Sequence, residues 1–321
     1  MAMAVPEHAM SQPSQAPSPE GWRSAGPARS PVLFVNPRSG GGAAARAGVA
    51  ERARDLGIEV IILDPGHSLT ALASAAAASG AGALGMAGGD GSLAEVAAVA
   101  AASGLPFVCV PAGTRNHFAL DLGVDRRDLT GALEAFTDGV ERLIDVGDVN
   151  DRMFLNNVSL GVYGEAVRRP EYRDAKVRTL LLTAQEVAGP SGQAPGLRLI
   201  DDAGREHRGV DAVLVSNNPY ALERPLPRGT RPALDTGQLG IVIIDPPGSE
   251  PRAPGRSWHA SRLDVSAQEP VHAGIDGEPA DLIPPLRFTI RPAALRVRIS
   301  RRHLGTPPTA HVPPRTAPRR R

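Results

Sequence analysis

The sequence predicts an α/β protein in two parts, a doubly wound parallel sheet followed by a mainly antiparallel β-sandwich domain. From residue 31 to about residue 143, short apolar runs alternate with helical segments, which is typical of βαβ units whose strands are buried on both faces. Beyond this point strand-like runs separated by turns dominate, and these favour antiparallel pairing. A chain of 321 residues with 42% hydrophobic content is long enough and apolar enough for two cores.

The first half of the chain alternates strands with helices. The predicted strands are the apolar runs at residues 32–35, 59–63, 83–87 and 107–110. The predicted helices cover residues 43–56, 69–79, 93–102 and 129–137, with a short helical turn that reaches about residue 122. Because a helical segment follows each strand, we expect the strands to lie parallel in one open sheet.

The second half of the chain contains short strands and one helix. Strands are predicted at residues 154–160, 197–200, 213–216, 239–244, 263–265, 288–290 and 295–299. The Asp-Asp-Ala-Gly sequence at residues 201–204 has the composition of a hairpin turn. In this half, apolar residues recur at helical spacing within residues 174–187, which predicts a single helix there.

The composition changes again at both ends of the chain. Residues 1–29 are rich in Pro, Ser, Ala and Gln, and residues 301–321 are rich in Pro and Arg, so both are predicted to be disordered. The boundaries that follow are a leader over 1–29, an α/β domain over 30–145, a β-rich domain over 146–300 and a basic tail over 301–321. The last strands of the β-rich domain can return to the first domain.

Charge and cysteine content exclude several classes of protein. The chain has 35 basic and 34 acidic residues, so no global field favours nucleic acid. The single cysteine, Cys109, excludes a disulfide within the chain and any cysteine-based metal site. The N-terminus lacks the apolar region of a secretory signal, and no window is apolar enough to span a bilayer. These features predict a cytoplasmic protein without a transmembrane segment.

Three polar, glycine-bearing loops follow three of the strands, at residues 36–42, 87–92 and 111–117. Loops at the carboxyl ends of parallel strands gather along one edge of the sheet, so we expect them to line one crevice. The middle loop contains Gly88, Gly89 and Gly91 and leads directly into an alanine-rich helix. Glycines let the backbone approach a ligand closely, and amides at a helix N-terminus attract anions. Asp90 is the one group in this loop able to hold a metal ion or a proton.

The common nucleotide-binding motifs are absent from the sequence. Walker A and protein-kinase motifs need a lysine beside the phosphates, and the one lysine of the chain, Lys176, lies far from any glycine loop. The dinucleotide Gly-x-Gly-x-x-Gly spacing is missing after the first strand, as is a Gly-x-Ser-x-Gly elbow. What remains is phosphate binding by backbone amides and hydroxyls, with Asp90 holding Mg²⁺ and a second carboxylate acting on a hydroxyl nucleophile. That set suffices for phosphoryl transfer.

Three sequence blocks resemble the signature of the diacylglycerol kinase catalytic-domain family. They are Asn36-Pro37-x-Ser39-Gly40, then Gly88-Gly89-Asp90-Gly91-Ser92-x-x-Glu95-Val96, then Pro111-x-Gly113-Thr114-x-Asn116-x-Phe118-Ala119. Their order and spacing match across residues 32–149. The later segment resembles the family's β domain more weakly, through Asn156, Gly161, Asn217, Asp235, Gly237, Leu239 and the run Asp276-Gly277-Glu278.

The resemblance implies a fold similar to that of NAD kinases and phosphofructokinases, and a division of roles between the domains. The ATP-binding residues that it implies are Asn36, Ser39, Gly40, Gly88, Gly89, Asp90, Gly91, Ser92, Gly113, Thr114 and Asn116. Asp90 would also be the catalytic metal ligand for Mg²⁺, and Glu278 the catalytic base that deprotonates the acceptor hydroxyl. The implied partner is a lipid substrate, reached from the cytoplasmic side of the inner membrane surface, and the sequence is compatible with a homodimer.

Several alternatives stay open at this level. Asp90 and Asp235 could be ordinary turn acids, Glu278 a solvated hairpin residue with Asp276 as the competing base, and Thr114 and Asn116 simple helix caps. The block around Asn217 also departs from the family, since Asn217-Asn218-Pro219-Tyr220 replaces a glycine run. The rival functions are therefore a kinase for a soluble acceptor such as NAD and a non-catalytic nucleotide-binding regulatory protein.

Overall fold

The computed structural model describes residues 21–161, 196–221, 230–244 and 256–308. The helix predicted over residues 174–187 lies outside the described residues. None of the helices within the described ranges combines the length and the apolar character needed to cross a membrane.

The described residues form seventeen strands, five α-helices and two short 3₁₀ turns. The strands are β1 (Arg23–Ala25), β2 (Pro31–Val35), β3 (Glu59–Ile62), β4 (Ala83–Gly88), β5 (Phe107–Pro111), β6 (Gly139–Val149), β7 (Arg152–Phe154), β8 (Asn157–Gly161), β9 (Leu197–Asp201), β10 (Glu206–Val210), β11 (Ala212–Asn217), β12 (Leu239–Ile244), β13 (Ser257–Ala260), β14 (Arg262–Ser266), β15 (Val271–Ile275), β16 (Glu278–Leu282) and β17 (Leu286–Ser300). The α-helices are α1 (Ala43–Arg46), α2 (Val49–Asp55), α3 (Leu69–Ala78), α4 (Asp90–Ala102) and α5 (His117–Asp121), and the 3₁₀ turns are Ser39–Gly41 and Gly131–Phe136.

The N-terminal domain is built on a parallel sheet with the strand order β3-β2-β4-β5. Alternate residues of β2 enter two different cores, because Phe34 packs with side chains of α3 and α4 while Leu33 packs with side chains of α1 and α2. The sheet is therefore covered by helices on both faces, and the prediction of a doubly wound domain is confirmed. The chain order reverses between β2 and β4, and ligands of such sheets bind at this switch point.

Two predicted helices differ from the observed ones. The helix expected over residues 43–56 is split into α1 and α2 because Gly48 between them adopts a left-handed conformation with φ +64°. The helix expected over residues 129–137 is a 3₁₀ turn, Gly131–Phe136, whose entry is held by a hydrogen bond from the amide of Gly131 to the carboxylate of Asp128.

The second domain is a β-sandwich, as predicted. One layer is a six-stranded antiparallel sheet in the order β13-β12-β11-β8-β15-β16. The other is the antiparallel extension β10-β9-β14-β17 of the long sheet that begins in the first domain. Apolar side chains of both layers form one core, exemplified by Val215 and Ile241 from the first layer and Leu199 and Phe288 from the second.

Strand β17 runs through both domains. Residues expected to form two separate final strands belong to this single strand of fifteen residues. It pairs with β14 at its beginning and with β5 and β6 towards its end, with an irregularity between Arg291 and Leu295. At that irregularity Ala293 has φ +50°, and its amide donates to the buried carboxylate of Asp145 at 2.9 Å. The bulge is therefore held by a buried acceptor, and one covalent segment joins the two domains.

Order extends beyond the boundaries that composition suggests at both ends. Residues 23–25 pair with β6, and the buried Trp22 donates a hydrogen bond to the carbonyl of Gly305 at 2.7 Å. His303, also buried, accepts a hydrogen bond from the amide of Asp125. Parts of both segments that were expected to be disordered, residues 21–29 and 301–308, thus pack onto the first domain.

Candidate active site

The central glycine loop joins β4 to α4 at the carboxyl edge of the parallel sheet. Every residue of β4 is buried, and α4 begins at Asp90 with Gly89 as its N-cap. No side chain caps this helix end, so the amides of Asp90, Gly91 and Ser92 have no partner within the helix. The helix therefore presents N–H donors and the positive end of its dipole to an anion.

Glycines bring the three predicted loops into contact. A Cβ atom on Gly113 would lie 2.5 Å from the Cα atom of Gly89 and 3.2 Å from the carbonyl oxygen of Gly88. A Cβ atom on Gly40, where φ is +56°, would lie 2.5 Å from the carbonyl oxygen of Ala112. Both positions require glycine because the neighbouring atoms belong to backbone and cannot rotate away. The loops after β2, β4 and β5 thus form one continuous backbone surface.

Asp90 connects the start of α4 to the start of α5. Its half-buried carboxylate accepts hydrogen bonds from the amides of His117 at 3.2 Å and Phe118 at 3.1 Å. These two bonds hold the carboxylate beside the first-turn amides of its own helix. Asp90 therefore has the fixed position and the charge that a Mg²⁺ ligand needs.

Asn116 shapes the third loop from within. It is buried and adopts a left-handed conformation with φ +52°. Its Oδ1 atom accepts from the amide of Gly113 at 2.8 Å, while its Nδ2 atom donates to the carbonyls of Pro111 at 3.1 Å and Gly113 at 2.8 Å. The observed contacts of this side chain thus go to its own loop, whereas Thr114 in the same loop is exposed.

The first loop is held in a similar way. Oδ1 of Asn36 accepts a hydrogen bond from the amide of Arg38 at 3.1 Å, and the half-buried Ser39 opens the 3₁₀ turn. Arg46 of α1 donates to the carbonyls of Gly40 and Gly41. No motif in the sequence indicates this contact, although the arginine lies one helical turn beyond the loop.

The β domain contributes the hairpin between β15 and β16. Its two turn residues, Asp276 and Gly277, have φ of +49° and +88°, which is typical of the type I′ turn that Asp-Gly favours. The buried carboxylate of Asp276 accepts hydrogen bonds from three consecutive amides, those of Leu155 at 2.8 Å, Asn156 at 2.7 Å and Asn157 at 3.2 Å. The hairpin is therefore anchored to the segment between β7 and β8.

Glu278 follows this turn and contacts the first turn of α4. A Cβ atom on Gly91 would lie 2.6 Å from Cγ of Glu278 and 3.2 Å from its Oε1 atom. Glu278 is exposed, whereas both oxygens of Asp276 are occupied by amides. Burial raises the pKa of Asp276 to about 6, the amide bonds oppose this shift, and the charge of Asp90 adds to it. Of the two acids, Glu278 is the one whose carboxylate is open to solvent.

A cleft of about 680 Å³ lies between α4, β7 and this hairpin. One part of its lining is apolar and consists of Ala94, Ala98, Met153 and Ile275. The other part is polar and includes Ser92, Glu95, Arg152, Asp276 and Glu278. Thr70, another lining residue, donates a hydrogen bond to Glu95 at 3.2 Å across α3 and α4. The cleft therefore offers an apolar wall directly beside the carboxylate of Glu278.

The residues present fit a nucleotide-bound Mg²⁺ ion. Within the described ranges no three His, Cys, Asp or Glu side chains cluster as a self-sufficient metal site. Mg²⁺ in phosphoryl-transfer sites needs no such cage, because it takes one or two carboxylates and completes its octahedron with phosphate oxygens and water. Asp90 beside the amides of α4 would supply one such carboxylate, and those amides would supply the donors for the phosphates.

A buried arginine lies behind the cleft and was not identified from the sequence. Arg231 is fully buried, and its guanidinium donates to both the carboxylate of Asp121 on α5 and the carbonyl of Leu155. Tyr220 packs with its ring 6.0 Å from the guanidinium carbon. Burial alone lowers the pKa of Arg231, but the charge of Asp121 raises it above its usual value. No motif or spacing signals this pair, because its members are 110 residues apart.

The residues of the β domain that resemble the family more weakly make contacts in the same region, around Leu155 and Arg231. Nδ2 of Asn217 donates to the carbonyls of Asp145 at 3.0 Å and Leu155 at 3.1 Å. The amide of Gly237 donates to the carboxylate of Asp145 at 2.7 Å. Asp235 is exposed, and Asn156 is buried with its Oδ1 atom accepting from Arg231. The structure thus gives Asn217 and Asn156 supporting contacts behind the cleft.

The fold and the cleft define the class of protein, a two-domain scaffold in which a helix start suited to anions lies beside a carboxylate from a β-sandwich. Residues 30–149 match the family model described as the diacylglycerol kinase catalytic domain. The resemblance stated from the three sequence blocks is therefore confirmed.

Relatives with known names support the family assignment over part of the chain. The chain is 45% identical to a diacylglycerol kinase of Bacillus subtilis (strain 168) over 47 residues, which is 15% of this chain and 16% of the relative. It is 34% identical to a diacylglycerol kinase of Mycobacterium tuberculosis over 124 residues, which is 37% of this chain and 40% of the relative. These matches span less than half the length of either relative.

Solved structures are similar over most of the chain. A crystal structure described as a diacylglycerol kinase from Bacillus anthracis str. Sterne has a TM-score of 0.59 at 17% identity. A second, described as a putative diacylglycerol kinase from the same strain, has a TM-score of 0.63 at 18% identity. Each comparison covers 84% of this chain and 96% of the other. At this level of identity the similarity supports the two-domain fold alone.

Proposed function

We propose that the protein is an ATP- and Mg²⁺-dependent kinase that transfers a phosphoryl group to a hydroxyl of diacylglycerol or a related lipid. The reaction takes place at the cytoplasmic surface of the membrane that holds the acceptor. One observation carries the proposal: Glu278 of the β domain packs on Gly91, one residue from Asp90. This contact brings an open carboxylate from one domain to the phosphate-type helix start of the other.

The nucleotide is held from the α/β side of the cleft. The amides at the start of α4 and the glycine surface of the three loops suit the phosphates, since all these groups are backbone and close enough for direct contact. Asp90 would hold Mg²⁺, which when bound neutralises the charge that develops on the phosphate oxygens. The side chains of Asn36 and Asn116 act indirectly by fixing the loops.

The acceptor is held against the apolar wall of the cleft, to which both domains contribute. The apolar wall formed by Ala94, Ala98, Met153 and Ile275 suits the hydrocarbon part of a lipid that lies next to its hydroxyl. The relatives in Bacillus subtilis and Mycobacterium tuberculosis are named diacylglycerol kinases, which favours a glycerolipid acceptor.

Glu278 would act as the general base. Its carboxylate accepts the proton of the acceptor hydroxyl, the hydroxyl oxygen bonds to the γ-phosphorus, and the bond to the bridging oxygen breaks to release ADP. Asp276 cannot easily take this role because both of its oxygens are occupied by backbone amides. Its part is to hold the turn that aims Glu278 at the crevice.

The proposal is tested by incubating the protein with γ-labelled ATP, Mg²⁺ and vesicles of total lipid extract, and then separating the lipids. We expect label in a lipid that comigrates with phosphatidic acid or a related phospholipid, and no label with Asp90→Ala of unchanged circular dichroism. Full activity of Asp90→Ala contradicts the mechanism. Label in a soluble acceptor such as NAD supports the rival kinase, and ATP binding without any product supports a non-catalytic binding protein.

A further inference from the structure

We propose that Arg231 is a positioning residue that keeps the nucleotide side and the acceptor side of the cleft in register. The inference rests on the proposed function and adds to it a residue that touches neither the nucleotide nor the acceptor. The geometry points to this role because the hydrogen bonds of one buried guanidinium lead to Asp90 on one side and to Glu278 on the other.

The first arm leads from Arg231 to the nucleotide side. The carboxylate of Asp121 accepts from the backbone amide of Arg231 at 2.9 Å, from Nε at 2.8 Å and from Nη2 at 2.6 Å. Asp121 is the last residue of α5. At the other end of this five-residue helix, the amides of His117 and Phe118 donate to the carboxylate of Asp90. A shift of Asp121 therefore moves the donors that orient Asp90.

The second arm leads from Arg231 to the acceptor side. Nη1 donates to the carbonyl of Leu155 at 2.6 Å, and Nη2 donates to Oδ1 of Asn156 at 3.0 Å. The amides of these same two residues donate to the carboxylate of Asp276, which forms the turn before Glu278. Arg231 thus holds the carbonyl of Leu155 and the side chain of Asn156, and the amides of the same two residues hold the hairpin.

The two arms meet in the cleft, because Glu278 packs on Gly91 next to Asp90. Only an arginine can make these contacts at once, since its planar fork directs several donors in fixed directions whereas lysine has a single point of charge. Burial strengthens the case, because both Arg231 and Asp121 are inaccessible to solvent and cannot exchange their partners for water.

The ion pair of Arg298 and Glu141 provides a matched control. It is also largely buried, with side-chain exposures of 7% and 19%, and it includes bonds of 2.6 and 2.7 Å. It joins β17 to β6, and neither of its residues lines the cleft. Arg298→Lys therefore disturbs a buried ion pair that has no part in the proposed mechanism. It controls for the general effect of changing a buried arginine.

The kinetic test compares Arg231→Lys, Asp121→Asn and Arg298→Lys under conditions where all three are folded. For the first two we expect kcat for lipid phosphorylation to fall about 10- to 100-fold while KM for ATP changes less than about threefold, because misplacing reacting groups slows the chemical step. For Arg298→Lys we expect the wild-type kcat. A wild-type kcat in Arg231→Lys, or an equal loss in Arg298→Lys, overturns the inference.

A second measurement does not depend on activity. Hydrogen exchange of the amides that bind Asp90 (residues 117 and 118) and of those that bind Asp276 (residues 155–157) should become faster in both Arg231→Lys and Asp121→Asn. It should be unchanged at both places in Arg298→Lys. If the wild type phosphorylates no lipid, the proposed function fails. The exchange result still shows whether Arg231 couples the two sides of the cleft. Exchange that rises on one side of the cleft only contradicts the positioning role.

Discussion

At its three glycine loops the α/β wall of the cleft is made of backbone, whereas on the β wall the side chain of Glu278 is held in place by a second side chain, Asp276. On the α/β side, the loops at Gly40, Gly89 and Gly113 touch each other through main-chain atoms. On the β side, Glu278 depends on the buried carboxylate of Asp276, which depends in turn on the amides of residues 155–157. The glycine loops are therefore determined by short stretches of sequence. The support of Glu278 is instead assembled from residues that are far apart in the chain.

This difference has a chemical reason. Phosphates are recognised equally well by any amides that face them, so the nucleotide side needs close backbone approach more than particular side chains. A base must instead be a particular carboxylate at a particular place, so the acceptor side needs a rigid support. The buried pair of Arg231 and Asp121 joins the two walls.

Among the single substitutions, Asp90→Asn on the α/β wall should reduce activity the most. The substitution removes the charge proposed to hold Mg²⁺ and points an amide donor at the backbone amide of His117 or Phe118. We expect a loss of kcat/KM of about 10³-fold or more, in the range known for removal of a key transition-state group. Steady-state kinetics with labelled ATP measure it. Asp151→Asn, which changes an acid lining the same cleft, is the control and should stay within a few-fold of the wild type.

Gly113→Ala should break the contact between two loops. The new Cβ atom would lie 2.5 Å from Cα of Gly89, so one loop must move. We expect a destabilisation of about 1–3 kcal/mol from overpacking, together with a clear rise in the Kd for ATP. Urea unfolding and calorimetric titration measure the two effects. Gly26→Ala, where no atom lies within 4 Å of the new Cβ, is the matched control, and equal effects in both variants would argue against the loop contact.

Asp276→Asn should change how stability depends on pH. The folded-state pKa of about 6 lies above the ordinary value of 3.8, so the native protein binds the proton more tightly than the unfolded chain does. This carboxyl group therefore stabilises the fold below about pH 4, and its contribution is lost as the pH rises through 6, a change of about 3 kcal/mol. Between pH 4 and 7, the free energy of unfolding of the wild type should fall relative to that of Asp276→Asn. A constant difference across this range contradicts the assignment.

Gly91→Ala should have the smallest effect, although it lies closest to the proposed base. The new Cβ atom would meet Cγ of Glu278 at 2.6 Å, but that atom belongs to a side chain that can rotate. We expect a few-fold decrease in kcat, with no change in stability beyond about 1 kcal/mol. A comparison of kcat with thermal unfolding checks this. A loss as large as that of Asp90→Asn would mean that the position of Glu278 is less adaptable than a side-chain contact implies.

The two walls also differ in how far the sequence predicts them. The glycine loops, the strands before them and the doubly wound sheet follow from local signals, because each loop directly joins an apolar strand to a helix start. The resemblance to the family indicated Asp276 and Glu278 in the second domain. It did not indicate the buried residues that support them. Asp121 and Arg231 are far apart in sequence, and no periodicity or turn signal relates them.

Two further differences have the same origin. β17 is one strand rather than two because Asp145, on the neighbouring β6, accepts the amide of Ala293 and stabilises the bulge within it. The contacts of the Asn116 side chain are likewise not evident from the sequence, since it turns back to Pro111 and Gly113. In both cases the outcome depends on where an otherwise unpaired polar group finds its partner, which the sequence alone does not specify.

Asp90 and Glu278 are proposed to act together in one reaction across the domain cleft. A double-mutant cycle on phosphorylation of diacylglycerol vesicles, with Asp90→Asn, Glu278→Gln and the double variant, tests it most directly. We expect each single variant to lose about 10²-fold or more in kcat and the double variant to be hardly slower than the slower single variant. Wild-type kcat in Glu278→Gln, or losses that multiply in the double variant, would contradict it.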